Sequence, residues 1–147
     1  MRKKQKLGSL LSVVLLVALI FISSFIASMI QSSGGRVDVR TIKFPTQNGQ
    51  LLVADLFKPK MATRETPAPL VIVIPGFQRS KETLSNISIE LSRRGIVVIA
   101  IDPYAQGFSS SSMSKTSASS EGYGMYAIVD YIYNTKNLNY IDKSRIA

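Results

Sequence analysis

Leu70 to Ile101 reads LVIVIPGFQRSKETLSNISIELSRRGIVVIAI. Its two ends, Leu70–Ile74 and Ile96–Ile101, are continuous β-branched apolar runs with no polar face. That pattern belongs to strands covered on both sides, as in a sheet flanked by helices. Between them, Lys81–Arg94 places Leu84, Ile87 and Leu91 at i, i+3 and i+7, the spacing of one helical face. Arg93 and Arg94 suit the negative end of that helix, and Gly95 suits a left-handed stop. Strand, helix and strand make a βαβ crossover, which implies parallel pairing. The strands break off at Pro75-Gly76-Phe77 and at Asp102-Pro103. Carboxyl ends of strands are where open α/β sheets hold ligands.

Upstream, Val37, Val39 and Thr41 alternate with polar neighbours, which predicts a half-buried strand. Asn48-Gly49 then reads as a hairpin turn, since both residues tolerate positive φ. Gln50–Lys58 (QLLVADLFK) follows as an antiparallel partner, and Pro59–Pro69, with three prolines, as a surface connector. Downstream, Gln106–Ser120 is a polar loop with eight Ser between residues 109 and 120, read as a mobile excursion. From Gly122, Met125, Ile128, Val129 and Ile132 share one helical face, and Asn137–Asn139 ends that helix. Arg145-Ile146-Ala147 reads as the start of a further strand. A parallel strand needs a covering helix, so the expectation is an N-terminal portion of a larger α/β domain.

At the amino end, residues 1–6 are a basic cytoplasmic tip holding Arg2, Lys3, Lys4 and Lys6. Residues 7–30 (LGSLLSVVLLVALIFISSFIASMI) contain no charge. As a helix this run is about 36 Å long, enough for a hydrocarbon core of about 30 Å. It predicts a transmembrane signal-anchor in the lipid bilayer, oriented by the basic tip, with the later residues outside the cytoplasm. A cleaved signal peptide also starts with positive charge, but its apolar core is shorter and ends at a small-residue cleavage site. Ser32-Ser33-Gly34 is the best such site. A buried soluble helix is the third reading. Residues 31–35 (QSSGG) read as a flexible linker, leaving residues 36–147 as the partial domain.

Composition narrows the chemistry. The chain has 18 Lys+Arg, 9 Asp+Glu, no Cys and no His. Disulfides, thiolate nucleophiles and cysteine metal sites are excluded, and with them the commonest general base and metal ligand. No His-dependent catalytic machine is complete within these residues. No nucleophile, acid, base, cofactor or metal site can be assigned. The net charge of +9 places four charges in the basic tip. The other cations are scattered among acids without interleaved aromatics, and no Gly-rich phosphate loop is present, so neither nucleic acid nor nucleotide is an expected partner. Asp102 reads either as a ligand-binding carboxylate at a strand end or as a turn residue capping local amides. Gly76 lets the backbone approach a ligand, with the amide of Phe77 aimed into the site, or forms an ordinary turn. Tyr123, Tyr126, Tyr131 and Tyr133 read as helix packing or interface residues. Asn86-Ile87-Ser88 matches a glycosylation acceptor in a helical setting. Ser109 to Ser112 have no base to activate them.

The order of these pieces resembles the first half of the α/β-hydrolase family, over residues 37–147: a β-hairpin, then parallel βαβ units. Asp102-Pro-Tyr-Ala-Gln-Gly-Phe-Ser109 is similar to the family's Asp-x-x-Gly-x-Gly-x-Ser pattern, with its later Gly present. Pro75 stands where the family usually has His before Gly76. The resemblance implies that the Phe77 N–H contributes to an oxyanion hole, with Gly76 as its supporting turn. The G-x-S-x-G nucleophile elbow and the triad acid and His follow later in the family's order, beyond these residues. It implies a membrane-anchored acyl hydrolase (serine esterase, lipase or peptidase-like) for a small-molecule ester or peptide. A single-pass protein with a non-catalytic binding ectodomain, or a degenerate hydrolase-fold scaffold, are the other expectations.

Overall fold

The computed structural model describes residues 2–46, 49–109 and 122–147. Asn48 and the serine-rich stretch 110–121 lie outside the described residues, so the expected Asn-Gly turn and loop excursion are not tested there.

Thirty residues, Arg2–Gln31, form helix α1. Leu10–Gln31 is apolar and long enough to cross a membrane, and none of it is buried within the fold. The connector that follows is a run of hydrogen-bonded turns. The Gly34 amide donates to the Met29 carbonyl at 2.7 Å and the Val37 amide to the Ser32 carbonyl at 3.0 Å. Left-handed Ser33, Gly34 and Gly35 close the helix and aim the chain into the first strand.

Strands β1 (Val37–Pro45) and β2 (Leu51–Pro59) pair antiparallel, as the hairpin reading requires. β3 (Ala68–Val73) and β4 (Val97–Ile101) pair parallel, with helix α2 (Ser85–Arg93) between them, entered through a 3₁₀ turn at Lys81–Leu84. Helix α3 (Met125–Asn134) leads to β5 (Ile141–Ile146), which pairs parallel with β3 through an irregular register. The fifth strand thus begins four residues before the Arg145 start read from sequence. The sheet order is β1-β2-β4-β3-β5.

The sheet has two covers. Ile128 and Ile132 of α3 press on Phe44, Leu56, Leu70, Ile99 and Ile101 on one face. α2 packs over Val98, Ala100, Phe57 and Val37 on the other. β4 is therefore buried at every residue, as its apolar run predicts. β3 is not: Ala68, Leu70 and Ile72 are buried, whereas Val71 and Val73 are only half-buried. The expectation of a strand covered on both sides fails for β3, because α2 lies across β4, β2 and β1.

α2 is also rotated from the face its spacing predicts: Leu91 packs on the sheet together with Ile89, but Ile87 does not. Ser88 and Ser92 are buried while Ile87 is 52% exposed. The Ser88 hydroxyl donates to the Leu84 carbonyl at 2.8 Å and the Ser92 hydroxyl to the Phe57 carbonyl at 3.2 Å. Small side chains let the helix approach the sheet closely, and their hydroxyls are satisfied by backbone. Gly95, at φ +88°, ends the helix as expected. Ser92→Leu should destabilise the fold by about 1–3 kcal/mol through overpacking, whereas Ile87→Ser should stay within about 0.5 kcal/mol of the parent. Paired thermal melts of the two variants check this; equal melting points would restore the face its spacing predicts as the buried one.

Candidate functional site

β3 and β4 end side by side, and the loops leaving them form the candidate site. After β3 the chain turns at Gly76–Arg79, where the Arg79 amide donates to the Gly76 carbonyl at 3.1 Å and Gln78 is left-handed at φ +61°. The same Arg79 amide reaches Gln106 Oε1 at 3.0 Å, so the turn is clamped to the loop after β4. The Phe77 amide has no acceptor among the described residues, and its ring is 68% exposed. Two open cavities flank Phe77. One, of about 400 Å³, lies between Phe77, Gln78, Ala105 and Gly107; the other, of about 310 Å³, is walled by Ile74, Pro75, Pro103 and Tyr123. Gln106 lines both.

Asp102 takes the amide-capping role. It is fully buried. Its Oδ1 accepts the Lys81 amide at 2.8 Å and its Oδ2 accepts the Phe108 amide at 3.0 Å, which joins the loops after β3 and β4. Gly107 passes so close that a β-carbon there would lie 2.2–2.3 Å from the Asp102 carboxylate. Ala105, standing where the family pattern has a Gly, is held at φ +63°, a conformation that strains any residue with a β-carbon. Ser109 is buried too: its hydroxyl donates to the Asp102 carbonyl at 2.6 Å and accepts the Val53 amide at 2.8 Å. Those bonds make it a staple between β2 and β4. Ser110–Ser112 lie outside the described residues.

Sequence reading missed Lys81. Its side chain is almost fully buried, with the ammonium 3.6 Å from Asp55, 3.5 Å from Asp102, in contact with Glu82, and 5.0 Å from the centre of the Phe108 ring. Burial works to lower its pKa, but the Glu82 hydrogen bond and the Asp55 and Asp102 carboxylates together outweigh it and hold the ammonium above its ordinary value. Two signals were there to find. A cation in the first turn opposes the helix dipole, and Asp55 interrupts an otherwise apolar stretch of β2. Each needed a partner.

Glu82 is drawn down to about 2, chiefly by hydrogen bonds from Lys81 and Ser80. Asp142 is drawn down to about 2 by Ser144 and Arg145. Carboxylates held below their unfolded values add stability that is complete above those values and is lost as pH falls through the folded ones. The thermal midpoint of the full chain in detergent should therefore fall between about pH 4.5 and about pH 2. The effect is modest, because Glu82 is half exposed and screened by solvent. Glu82→Gln should flatten part of that slope; an unchanged profile would show that its ion pair carries no stability.

The tyrosines divide. Tyr131 packs edge-on against Phe44 at 5.1 Å, and the Tyr133 hydroxyl donates to the Lys143 carbonyl at 2.9 Å. Tyr126 is exposed on α3. Tyr123 lies outside the helix, left-handed at φ +55° in the preceding turn, where its carbonyl accepts the Tyr104 amide at 3.2 Å. Asn86 and Ser88 are helical, and the buried Ser88 closes the glycosylation motif.

No protein-family model and no curated protein sequence matches the chain. Solved structures do. A hypothetical protein of Pseudomonas aeruginosa matches at 27% identity and TM-score 0.60, over 76% of this chain and 34% of its own. The α/β hydrolase GrgF from Penicillium matches at 19% identity and TM-score 0.58, over 74% of this chain and 36% of its own. Est1E from Butyrivibrio proteoclasticus, solved with ferulic acid bound, matches at 22% identity and TM-score 0.57, over 69% and 39%. The chain spans between a third and two fifths of these structures. It carries the N-terminal portion of an α/β-hydrolase fold.

Proposed function

We propose that this portion of an α/β-hydrolase fold brings one oxyanion donor, the Phe77 N–H, to the active site of a membrane-anchored hydrolase of ester or amide bonds. The observation that carries the reading is the amide of Phe77, without an acceptor among the described residues, just past the carboxyl end of β3 in a residue that lines two cavities. A tetrahedral intermediate of acyl transfer places a negative oxygen where such a donor stabilises it most, in a site shielded from bulk water. Gly76 leaves room for substrate beside that amide. The Gln106–Arg79 bond keeps the turn in place, and the Asp102–Lys81 cluster holds the two loops together from beneath. The nucleophile, acid and base come from elsewhere in the full-length protein, in the family's chain order. α1 supplies the anchor through residues 7–30, with the domain outside the cytoplasm.

A fluorophosphonate probe, which phosphonylates activated serines with loss of fluoride, tests this on the full-length product in its native membrane. The expected result is a labelled protein that stays with the membrane after alkaline carbonate and is cut by protease added outside intact cells. Absence of labelling, with no turnover of simple esters, would turn the reading to a non-catalytic binding ectodomain. A labelled protein recovered from the cytosol would overturn the anchoring alone.

A further inference from the structure

β1 is antiparallel to β2, β2 is antiparallel to β4, and β4 is parallel to β3, which is parallel to β5. The first residues of β1, β3, β4 and β5 therefore share one edge of the sheet, opposite the edge that carries Phe77. α1 ends six residues before Val37, which opens β1 at that edge, and its last residues, Ile30 and Gln31, line a cavity with Val39, Asp55, Phe57 and Ser85 on the α2 side of the sheet. The exposed cations Arg36, Lys60, Arg64 and Lys136 lie in the segments along it, and none forms an ion pair among the described residues. The Lys60 amide donates to the Arg36 carbonyl at 2.9 Å, so the first two are neighbours. Arg64, Lys136 and Lys143 line a cavity of about 440 Å³ with Thr135 and Asn139. Lys143 is held there by the Tyr133 and Thr135 carbonyls at the end of α3, at 2.8 and 3.1 Å. Asp38 and Glu65 are exposed acids of the same edge, while Asp142 is taken up by Arg145. Toward the opposite edge the exposed cations are Lys43 and Arg79, and Asp55, Glu82 and Asp102 surround Lys81.

We propose that the edge where the chain enters β1 is a docking surface for anionic lipid headgroups, with the Arg64–Lys136–Lys143 cavity receiving a headgroup phosphate. This rests on the anchored reading of α1. Two observations select a lipid over other anions: the cations lie at the end of the sheet where the chain enters β1, a few residues after an apolar helix long enough to cross a bilayer, and none of Arg36, Lys60, Arg64 and Lys136 is ion-paired among the described residues. Basic residues within a Debye length of an anionic bilayer are attracted to it, by roughly fivefold in local affinity for each one. Docking this edge directs the Phe77 edge away from the membrane, toward substrates in solution.

These 147 residues contain no cysteine, so a single label introduced among them reports cleanly. Asn137→Cys carries a fluorophore on the basic edge and Lys43→Cys carries it on the opposite edge. Each protein is reconstituted into phosphatidylcholine vesicles with or without phosphatidylglycerol, both doped with headgroup-nitroxide lipid. The expected result is quenching at residue 137, weak at residue 43, that requires phosphatidylglycerol and is lost in high salt. Lys60→Glu, Arg64→Glu and Lys136→Glu combined should lower the docked-to-undocked ratio at least tenfold. The high-salt arm on the parent chain gives the same information if that variant misfolds. Quenching that ignores phosphatidylglycerol, or that is stronger at residue 43, overturns the docking surface while anchoring stands. Millimolar inorganic phosphate at matched ionic strength should leave the quenching in place; its loss would make the cavity a site for the free ion. A chain that fails to float with phosphatidylcholine vesicles overturns the anchoring and the docking together.

Discussion

On the proposed hydrolase reading, replacing Gly76 with Val in the full-length protein should lower kcat for ester hydrolysis by roughly 10²–10³-fold, the cost of losing one oxyanion donor. The amide of Phe77 survives any change of its side chain, so the approach to it has to be blocked instead. The fold itself leaves Gly76 free: nothing lies within 4 Å of a β-carbon built there, and its backbone is not left-handed. Val is therefore accommodated by the protein and opposed only by a substrate that must come close. KM for a neutral ester should change far less than kcat, because the contact strengthens mainly as negative charge develops. The split between the two constants, read alongside an unchanged melting point, is the measurement. A folded Gly76→Val enzyme with full kcat would show that the turn is only a turn, and the hydrolase reading would then rest on topology alone.

Asp102→Ala should destabilise the protein by about 3–5 kcal/mol, the usual cost of removing one partner from a buried ion pair. Two amides, those of Lys81 and Phe108, lose their acceptor, and Lys81 keeps only Asp55 and Glu82. At about 2–4 °C per kcal/mol, the melting point should drop by roughly 10 °C. Gly107→Ala should be damaging by a separate route, since its methyl would overlap the Asp102 carboxylate at a left-handed φ of +55°. In the Asp102→Ala background that overlap disappears, so Gly107→Ala should cost much less there. Additive losses would mean that the backbone conformation at residue 107, and not its approach to Asp102, governs the site.

The apolar runs at Leu70–Ile74 and Ile96–Ile101, the alternation from Val37, the 3.6-residue pattern from Met125 and the stop at Gly95 were enough to order the elements along the chain and to pair β1 with β2 and β3 with β4, but not to pair β2 with β4 or β3 with β5. Those features rest on local backbone preference and on the period of burial, which neighbours in sequence determine. The uncharged run from Leu7 likewise carries its own reading, because its length and apolarity need no partner to be counted. Burial was legible where the pattern is unbroken, in β4 and on the Ile128–Ile132 face of α3, but not where it depends on a particular tertiary partner. α2 buries Ser88 and Ser92 in place of Ile87 because the sheet beneath it rewards close approach more than apolar area. The second face of β3 is only half covered, because α2 is centred on β4. Lys81 is buried because carboxylates from β2 and from the residue just after β4, 26 residues before it and 21 after it, converge on its ammonium. Long-range charge pairing of that kind has no period and no local propensity. The residues that shape the candidate site, Gln106 and Lys81 above all, emerge only when β3 and β4 are laid side by side.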